Sequence, residues 1–224
     1  MRSALRNNSL GIFFGLIFLA SLVGHAFAGW QAFNAEQAAE GFGTLSFGRY
    51  LTSSDFAVDV TENWQSEYLQ FLLYLTATIW FLQRGSPESK ELGKAGLESD
   101  EDQKVGTYAD ERSPRWAAVG GLRTTLYSWS LTFTMASIFL VSWLVQSVAG
   151  RVAHNETRLG RLQDPLTWTE YVGSADFWSR TLQNWQSEFL AVGSMAVLAI
   201  YLRQRGSPES KPVGEAHDAT GVEG

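Results

Sequence analysis

The sequence predicts an all-α integral membrane protein of four helices, made of two tandem hairpin repeats. Three observations carry that expectation. Charge is segregated into patches, with long apolar runs between them. The chain matches itself at an offset of 121 residues. Finally, the phrase Asn63-Trp64-Gln65-Ser66-Glu67 opens an apolar run that closes on Gly85-Ser86-Pro87-Glu88-Ser89-Lys90, and both phrases recur, at 184–188 and 206–211.

Segregation of charge comes first. A mean hydropathy of −0.08 would suit a soluble protein, but it averages uncharged runs with charged patches. The first run gives a span over about 9–28 and the third a span over about 127–149. The second and fourth uncharged runs, 68–83 and 189–202, hold only 16 and 14 residues, short of the roughly 20 that a hydrocarbon core about 30 Å thick requires. Counting back about 20 residues from Arg84 and Arg205 at 1.5 Å each reaches Trp64 and Trp185. Spans over 63–83 and 184–204 are therefore expected, with the NWQSE phrase as their outer collar.

Self-similarity sets the organisation. Aligning 2–90 with 123–211 needs no gap, and 32 of the 89 positions are identical. Such a duplication outranks local signals. It divides the chain into a membrane repeat over 1–90, a linker over 91–122, a second repeat over 123–211 and a tail over 212–224. Two spans per repeat bring both copies into the membrane with the same orientation, a parallel arrangement about an axis along the membrane normal. Arg2, Arg6, the apolar run and Ala26-Phe27-Ala28 also read as a secretory signal peptide. The internal counterpart of that segment argues for retention, because a cleaved first helix would leave its repeat incomplete.

Basic residues orient the chain. Arg2 and Arg6, the seven Lys and Arg of 84–123, and Arg203, Arg205 and Lys211 put both termini and the linker in the cytoplasm. Arg151, Arg158, Arg161 and Arg180 run against this orientation. Linker and tail are polar and Gly-rich, and are expected to be flexible and disordered, respectively. The extracytoplasmic loops hold Phe42, Phe47, Tyr50, Phe56, Trp168, Tyr171, Phe177 and Trp178, so they have a core to pack. Interfacial helices are expected to start near Ser53 and Ser174, each Ser acting as N-cap.

The motifs yield the candidate residues. Trp64 and Trp185 suit the outer interface, where an apolar ring with one polar edge is at home. Asn63, Asn184, Gln65 and Gln186 are polar partners at the same level. Glu67 and Glu188 lie about a turn deeper, where a carboxylate needs a partner or must snorkel. His25 in span one, and its aligned residue Gln146 in span three, are the expected partners. Three readings stay open for each Glu: a clamp fixing helix register, a proton or cation site, or an exposed snorkelling carboxylate. Asn63, Glu67, Gln70 and Tyr74 share one helical face, whereas the second copy reads Asn184, Glu188, Ala191 and Met195. That pattern suits a shallow outward pocket rather than a continuous path.

In the turns, Gly85 and Gly206 suit the left-handed position after a helix, and Pro87 and Pro208 forbid continuation. Helix capping alone does not call for the shared Glu88, Lys90, Glu209 and Lys211. These turns are therefore expected to touch something specific, unless their identity only records a recent duplication. Gly11 and Gly15 have the spacing of a close helix contact. The chemistry of enzymes is not legible here: there is no Cys, His25, His154 and His217 are scattered, and no phosphate or dinucleotide loop occurs. Neither catalytic residues, metal nor cofactor are expected. A net charge of −6 without a basic stripe speaks against nucleic acid.

The NWQSE and QRGSPESK phrases on a duplicated two-span unit resemble a bacterial family of small integral membrane proteins of unknown function. The resemblance implies a multi-pass protein of the bacterial cytoplasmic membrane and carries no activity. The expected function is a non-enzymatic membrane scaffold or interaction protein, as a homodimer or with a protein partner. A small transporter or proton-coupled permease using Glu67 and Glu188 is the alternative.

Overall fold

A computed structural model describes residues 2–222. All regular structure among them is helical. The chain order is α1 (Arg2–Asn7), α2 (Ser9–Ala39), α3 (Phe47–Tyr50), α4 (Ser54–Ala77), a 3₁₀ turn at Gly106–Tyr108, α5 (Arg115–Ala118), α6 (Gly121–Ser128), α7 (Ser130–Gly160), α8 (Trp168–Val172) and α9 (Ala175–Tyr201). The final two residues of the expected tail lie outside the described residues.

Helices α2 and α7 are long and apolar enough to cross a membrane. Their 31 residues each correspond to about 46 Å at 1.5 Å per residue, so both outrun the expected spans at the C-terminal end. A core helix of a soluble protein would hide such a surface. Here only 6% of the most apolar window of α2 and 22% of that of α7 is buried, and Leu10, Phe13, Phe14, Leu16, Leu140 and Val141 stand exposed. Apolar surface on this scale marks contact with lipid or another protein.

Helices α4 and α9 depart from the expected boundaries. The separate interfacial helices predicted from Ser53 and Ser174 are the first turns of α4 and α9 themselves. No Pro interrupts either stretch, and the only Gly is Gly193, so nothing breaks the winding. The expected caps form: Ser53 Oγ accepts from Phe56 N at 3.2 Å and Ser174 Oγ from Phe177 N at 3.3 Å. At its other end α4 stops at Ala77, ahead of the expected position 83. Thr76 and Thr78 turn their hydroxyls back to the Leu72 and Tyr74 carbonyls, and the chain leaves through Ile79, whose carbonyl accepts from Gly96 N at 2.7 Å. Hydroxyls bonded back in this way compete with helix propagation.

The chain forms two compact units, Met1–Val60 with Val145–Tyr171, and Thr61–Leu144 with Val172–Gly224. In the first unit, one set of contacts occurs twice, 121 residues apart. Asn34 pairs with both backbone groups of Leu45, donating to the carbonyl at 2.9 Å and accepting from the N–H at 2.7 Å. Asn155 does the same with Leu166, at 2.9 and 2.8 Å. Each Asn thus closes a loop of about ten residues by replacing a missing backbone partner. Tyr50 and Tyr171, each 1% exposed, lay their phenol rings on Gly29 and Gly150, where any Cβ would run into the hydroxyl. Phe33 and Phe56 flank Tyr50, and His154 flanks Tyr171.

Burial, then the carboxylates of Asp59 and Asp55, push the Tyr50 phenol above its usual value of 10.0. The native state therefore holds a proton that the unfolded chain releases above pH 10. The Tyr50 contribution is complete below that pH and is lost as pH rises toward the native value. Thermal midpoints measured across alkaline pH should fall, and Tyr50→Phe should shallow the fall. An unchanged slope in that variant would refute the assignment.

In the second unit, Phe139, Trp143, Phe177, Trp178 and Trp185 form a chain of ring contacts with centroids 5.5–6.1 Å apart. Phe177 is 2% exposed. Such contacts add modestly to the area they bury. Arg180 links α9 to α4 through Glu62 at 3.2 Å, a pair open enough to water to contribute little.

Candidate functional site

The NWQSE phrase does different work in its two copies. In both, the Ser hydroxyl donates to the Asn carbonyl three residues back at 2.8 Å, Ser66 to Asn63 and Ser187 to Asn184. Beyond that they diverge. Gln65 is fully buried, and its Oε1 accepts from Trp185 Nε1 at 2.8 Å. Gln186 and Ser187 are exposed. Trp64 is 39% exposed and Trp185 half-buried. A buried indole N–H requires an acceptor, and Gln65 supplies it. Identical residues at 65 and 186 are thus not explained by one shared contact. Glu67 is exposed and Glu188 half-buried.

The expected partners of these carboxylates lie elsewhere. His25 Nε2 stands 3.9 Å from Asp59 and its ring lies on Phe56, so it meets α4 two turns before Glu67. The earlier start of α4 brings Phe56 and Asp59 to it. Gln146 is 1% exposed, and neither atom of its side-chain amide has a hydrogen-bond partner.

The QRGSPESK turns share a local design. Gly85 and Gly206 adopt φ of +84° and +81°, as the helix-ending role requires. Ser89 Oγ accepts from Gln83 N, and Ser210 Oγ from Gln204 N, both at 2.9 Å. Each Ser hydroxyl then donates to the carbonyl of the following Lys. Ser86 N and Ser207 N close the turn on the Gln83 and Gln204 carbonyls. The shared Ser residues are therefore structural. So is Lys90, which donates to the Gly96 carbonyl at 2.8 Å and pairs with Glu98 at 2.6 Å.

Lys211 binds the tail. It is 1% exposed, and its Nζ donates to the carbonyls of Ala216, His217 and Ala219 at 2.9–3.1 Å. The tail, expected to be disordered, follows a defined course from Pro212 to Gly221 and lies over the first turn. Thr220 Oγ1 accepts from Gly85 N at 2.8 Å, Gly221 N donates to the Ser86 carbonyl at 3.0 Å, and Asp218 faces Arg84 at 3.5 Å. Gly85, Ser86 and Pro87 are buried, while Gly206 and Pro208 are exposed. Sequence reasoning missed this contact, because the tail has no counterpart in the first repeat.

Glu88 also turns inward and accepts a short hydrogen bond from the Tyr74 hydroxyl. Beside this pair lies a cavity of about 230 Å³, lined by Gln70, Phe71, Tyr74, Glu88, Val192 and Met195. Gln70 Oε1 is buried there without a partner. Gln70 and Tyr74, which share one helical face, both line this cavity, toward the C-terminal end of α4. Glu209 is exposed. A hole of this size, apolar over most of its wall with Gln70, Tyr74 and Glu88 as its polar groups, admits a few waters or a small ligand. Among the described residues no group of His, Asp or Glu could hold a metal ion.

These features define an all-helical protein in which two helices are long and apolar enough to cross a membrane, with a capped polar turn after each of the other two long helices. The chain belongs to the family described as a domain of unknown function, DUF6766, whose model matches residues 1–222. Neither curated proteins nor solved structures show a significant match.

Proposed function

We propose that this chain is a non-enzymatic, multi-pass membrane interaction protein whose QRGSPESK turns receive extended protein segments on the cytoplasmic side. The observation that carries this reading is the tail seated on the first turn through a Thr hydroxyl, a Gly N–H and an Asp carboxylate. A turn that binds one peptide with its backbone has the chemistry to bind another, since main-chain hydrogen bonds give affinity and side chains give choice. The duplication supports two parallel hairpins with α4 and α9 also in the bilayer, and exposed Leu182, Leu190, Val197 and Leu198 on α9 suit lipid. Basic residues in the turns and linker favour cytoplasmic termini in a bacterial inner membrane.

The test is a photoreactive residue at Pro208 in native membranes. Discrete protein adducts are expected, and Gly206→Val should remove them by filling the open face of the turn. Absence of adducts, or adducts indifferent to Gly206→Val, would reject the reading.

A second reading is favoured by one observation, the cavity at Gln70, Tyr74 and Glu88, with Glu67 earlier on α4 and Glu188 on α9. In a permease, these carboxylates would carry the proton or cation. Proton flux into proteoliposomes would then drop at least about tenfold in the Glu67→Gln, Glu188→Gln double variant, given the cost of a carboxylate in the membrane and its functional default. Equal flux in the variant would eliminate this alternative.

A further inference from the structure

Two turns of identical sequence, Arg84-Gly85-Ser86 and Arg205-Gly206-Ser207, differ in one respect: the first is covered and the second is not. A Cβ built on Gly85 would strike the His217 carbonyl, whereas one built on Gly206 meets nothing within 4 Å. Both turns have the same backbone, with φ of +84° and +81°. Both also have the same Ser cap at 2.9 Å. The second turn borders a cavity of about 330 Å³ lined by Arg205, Gly206, Ser207, Ser210, Lys211 and Val213.

We infer that the second turn is a docking site for a segment of another protein that carries an acidic residue, then a Thr or Ser two positions on, then Gly. The reasoning rests on the interaction reading above and goes one step further, from a turn that binds peptides to the peptide chemistry it selects. On the first turn, Asp218 meets the guanidinium of Arg84, the Thr220 hydroxyl accepts from Gly85 N–H, and Gly221 N–H donates to the Ser86 carbonyl. Arg205, Gly206 and Ser207 present those three groups again. Glycine on the ligand is selected as well: Gly221 has φ of +72° and its Cβ position lies 3.0 Å from the Ser89 carbonyl, so a larger residue there is both strained and crowded. Glycine in the turn keeps the floor open.

The occupant comes from another protein because the chain has two turns and one tail. That tail reaches the first turn within the same chain, at an effective concentration that a second copy in solution cannot match. It is held further by the three carbonyls on Lys211. A second copy would have to give up its own seated tail to fill this turn, and a foreign segment would not.

The experiment follows the Gly85 and Gly206 amides by NMR in the full chain, in lipid nanodiscs. The probe is a synthetic peptide of residues 212–222. With the chain alone, Thr220→Val should speed exchange of the Gly85 amide at least about tenfold and leave Gly206 unchanged, reflecting loss of a local protecting bond. Failure of that step would overturn the interaction reading itself. Added peptide should then shift and protect Gly206, with affinity on the order of millimolar because no tether assists it. Arg205→Ala in the chain, or Asp218→Ala, Thr220→Val or Gly221→Val in the peptide, should remove the effect. If Gly85 responds as stated but Gly206 ignores the peptide, the second turn is no receptor and only this inference falls. Self-association of the chain that disappears in Thr220→Val would make the occupant a second copy, and would overturn the assignment to another protein.

Discussion

Replacing Tyr50 or Tyr171 by alanine should lower the stability of the chain by about 3–5 kcal/mol, the range for removing a fully buried aromatic ring. Both rings are 1% exposed and rest on a glycine backbone, so the hole has little freedom to collapse. Denaturant titration in detergent, followed by Trp fluorescence, would show it, and a loss under about 1 kcal/mol would contradict the packing. The close approach can be tested from the other side. Gly29→Ala should cost about 1–3 kcal/mol by overpacking, because the new Cβ would overlap the Tyr50 hydroxyl. In a Tyr50→Phe background the nearest ring atom, Cζ, lies 3.2 Å from that Cβ, a distance a small shift can relieve. The cost of Gly29→Ala should therefore shrink there, and such coupling is what a double-mutant cycle measures. Equal cost in both backgrounds would mean the clash is not with the hydroxyl.

The loops that hold these tyrosines show how much of the molecule could be read beforehand. Between positions 30 and 50 the two copies share only Ala32, Asn34, Leu45 and Tyr50 with Ala153, Asn155, Leu166 and Tyr171. Three of those four pairs carry the contacts that close and pack the loop. Isolated identities in divergent sequence were thus a legible signal of structure. The N-caps at Ser53 and Ser174 and the left-handed Gly85 and Gly206 were legible for a local reason, since each depends on a few neighbouring residues. The extents of α4 and α9 were not. Uncharged length is a poor guide to where winding stops, since α4 ends at Ala77 inside its uncharged run.

The candidate site divides along the same line. That Gln70 and Tyr74 share a face followed from helical spacing, but the arrival of Glu88 at Tyr74 depends on how the chain leaves α4. An expected pairing of His25 with Glu67 rests on depth alone. Depth says nothing of rotation about the helix, and the side facing His25 carries Phe56 and Asp59. Identity of NWQSE in both repeats suggested a single shared role, yet Gln65 is sealed against Trp185 while Gln186 is exposed. Duplication repeats residues, and their surroundings need not follow.

Lys211 and Lys90 turn that difference into a second strong prediction. They are aligned residues ending the same octapeptide, so a purely local role would give equal effects on substitution. Lys90 is 24% exposed at its side chain and holds one carbonyl and one carboxylate. Lys211 is sealed, and burial, then the Arg203 guanidinium, pull its ammonium below the usual lysine value. Three carbonyls compensate by accepting from it. Lys211→Met keeps the volume but strips those three acceptors of their donor. A hydrogen bond to a charged group contributes about 1.5–3 kcal/mol net, and because all three share one ammonium whose burial carries its own cost, the seat of the tail should lose roughly 2–4 kcal/mol in total. Protease cleavage within 212–222 and exchange at the Gly85 amide should both accelerate by about 30- to 700-fold, as each 1.4 kcal/mol is a factor of ten. Lys90→Met, whose Glu98 partner is 43% exposed at its side chain, should change either readout by less than about tenfold. Equal acceleration in the two variants would show that the tail is held by the turn alone and that the buried ammonium has no part in seating it.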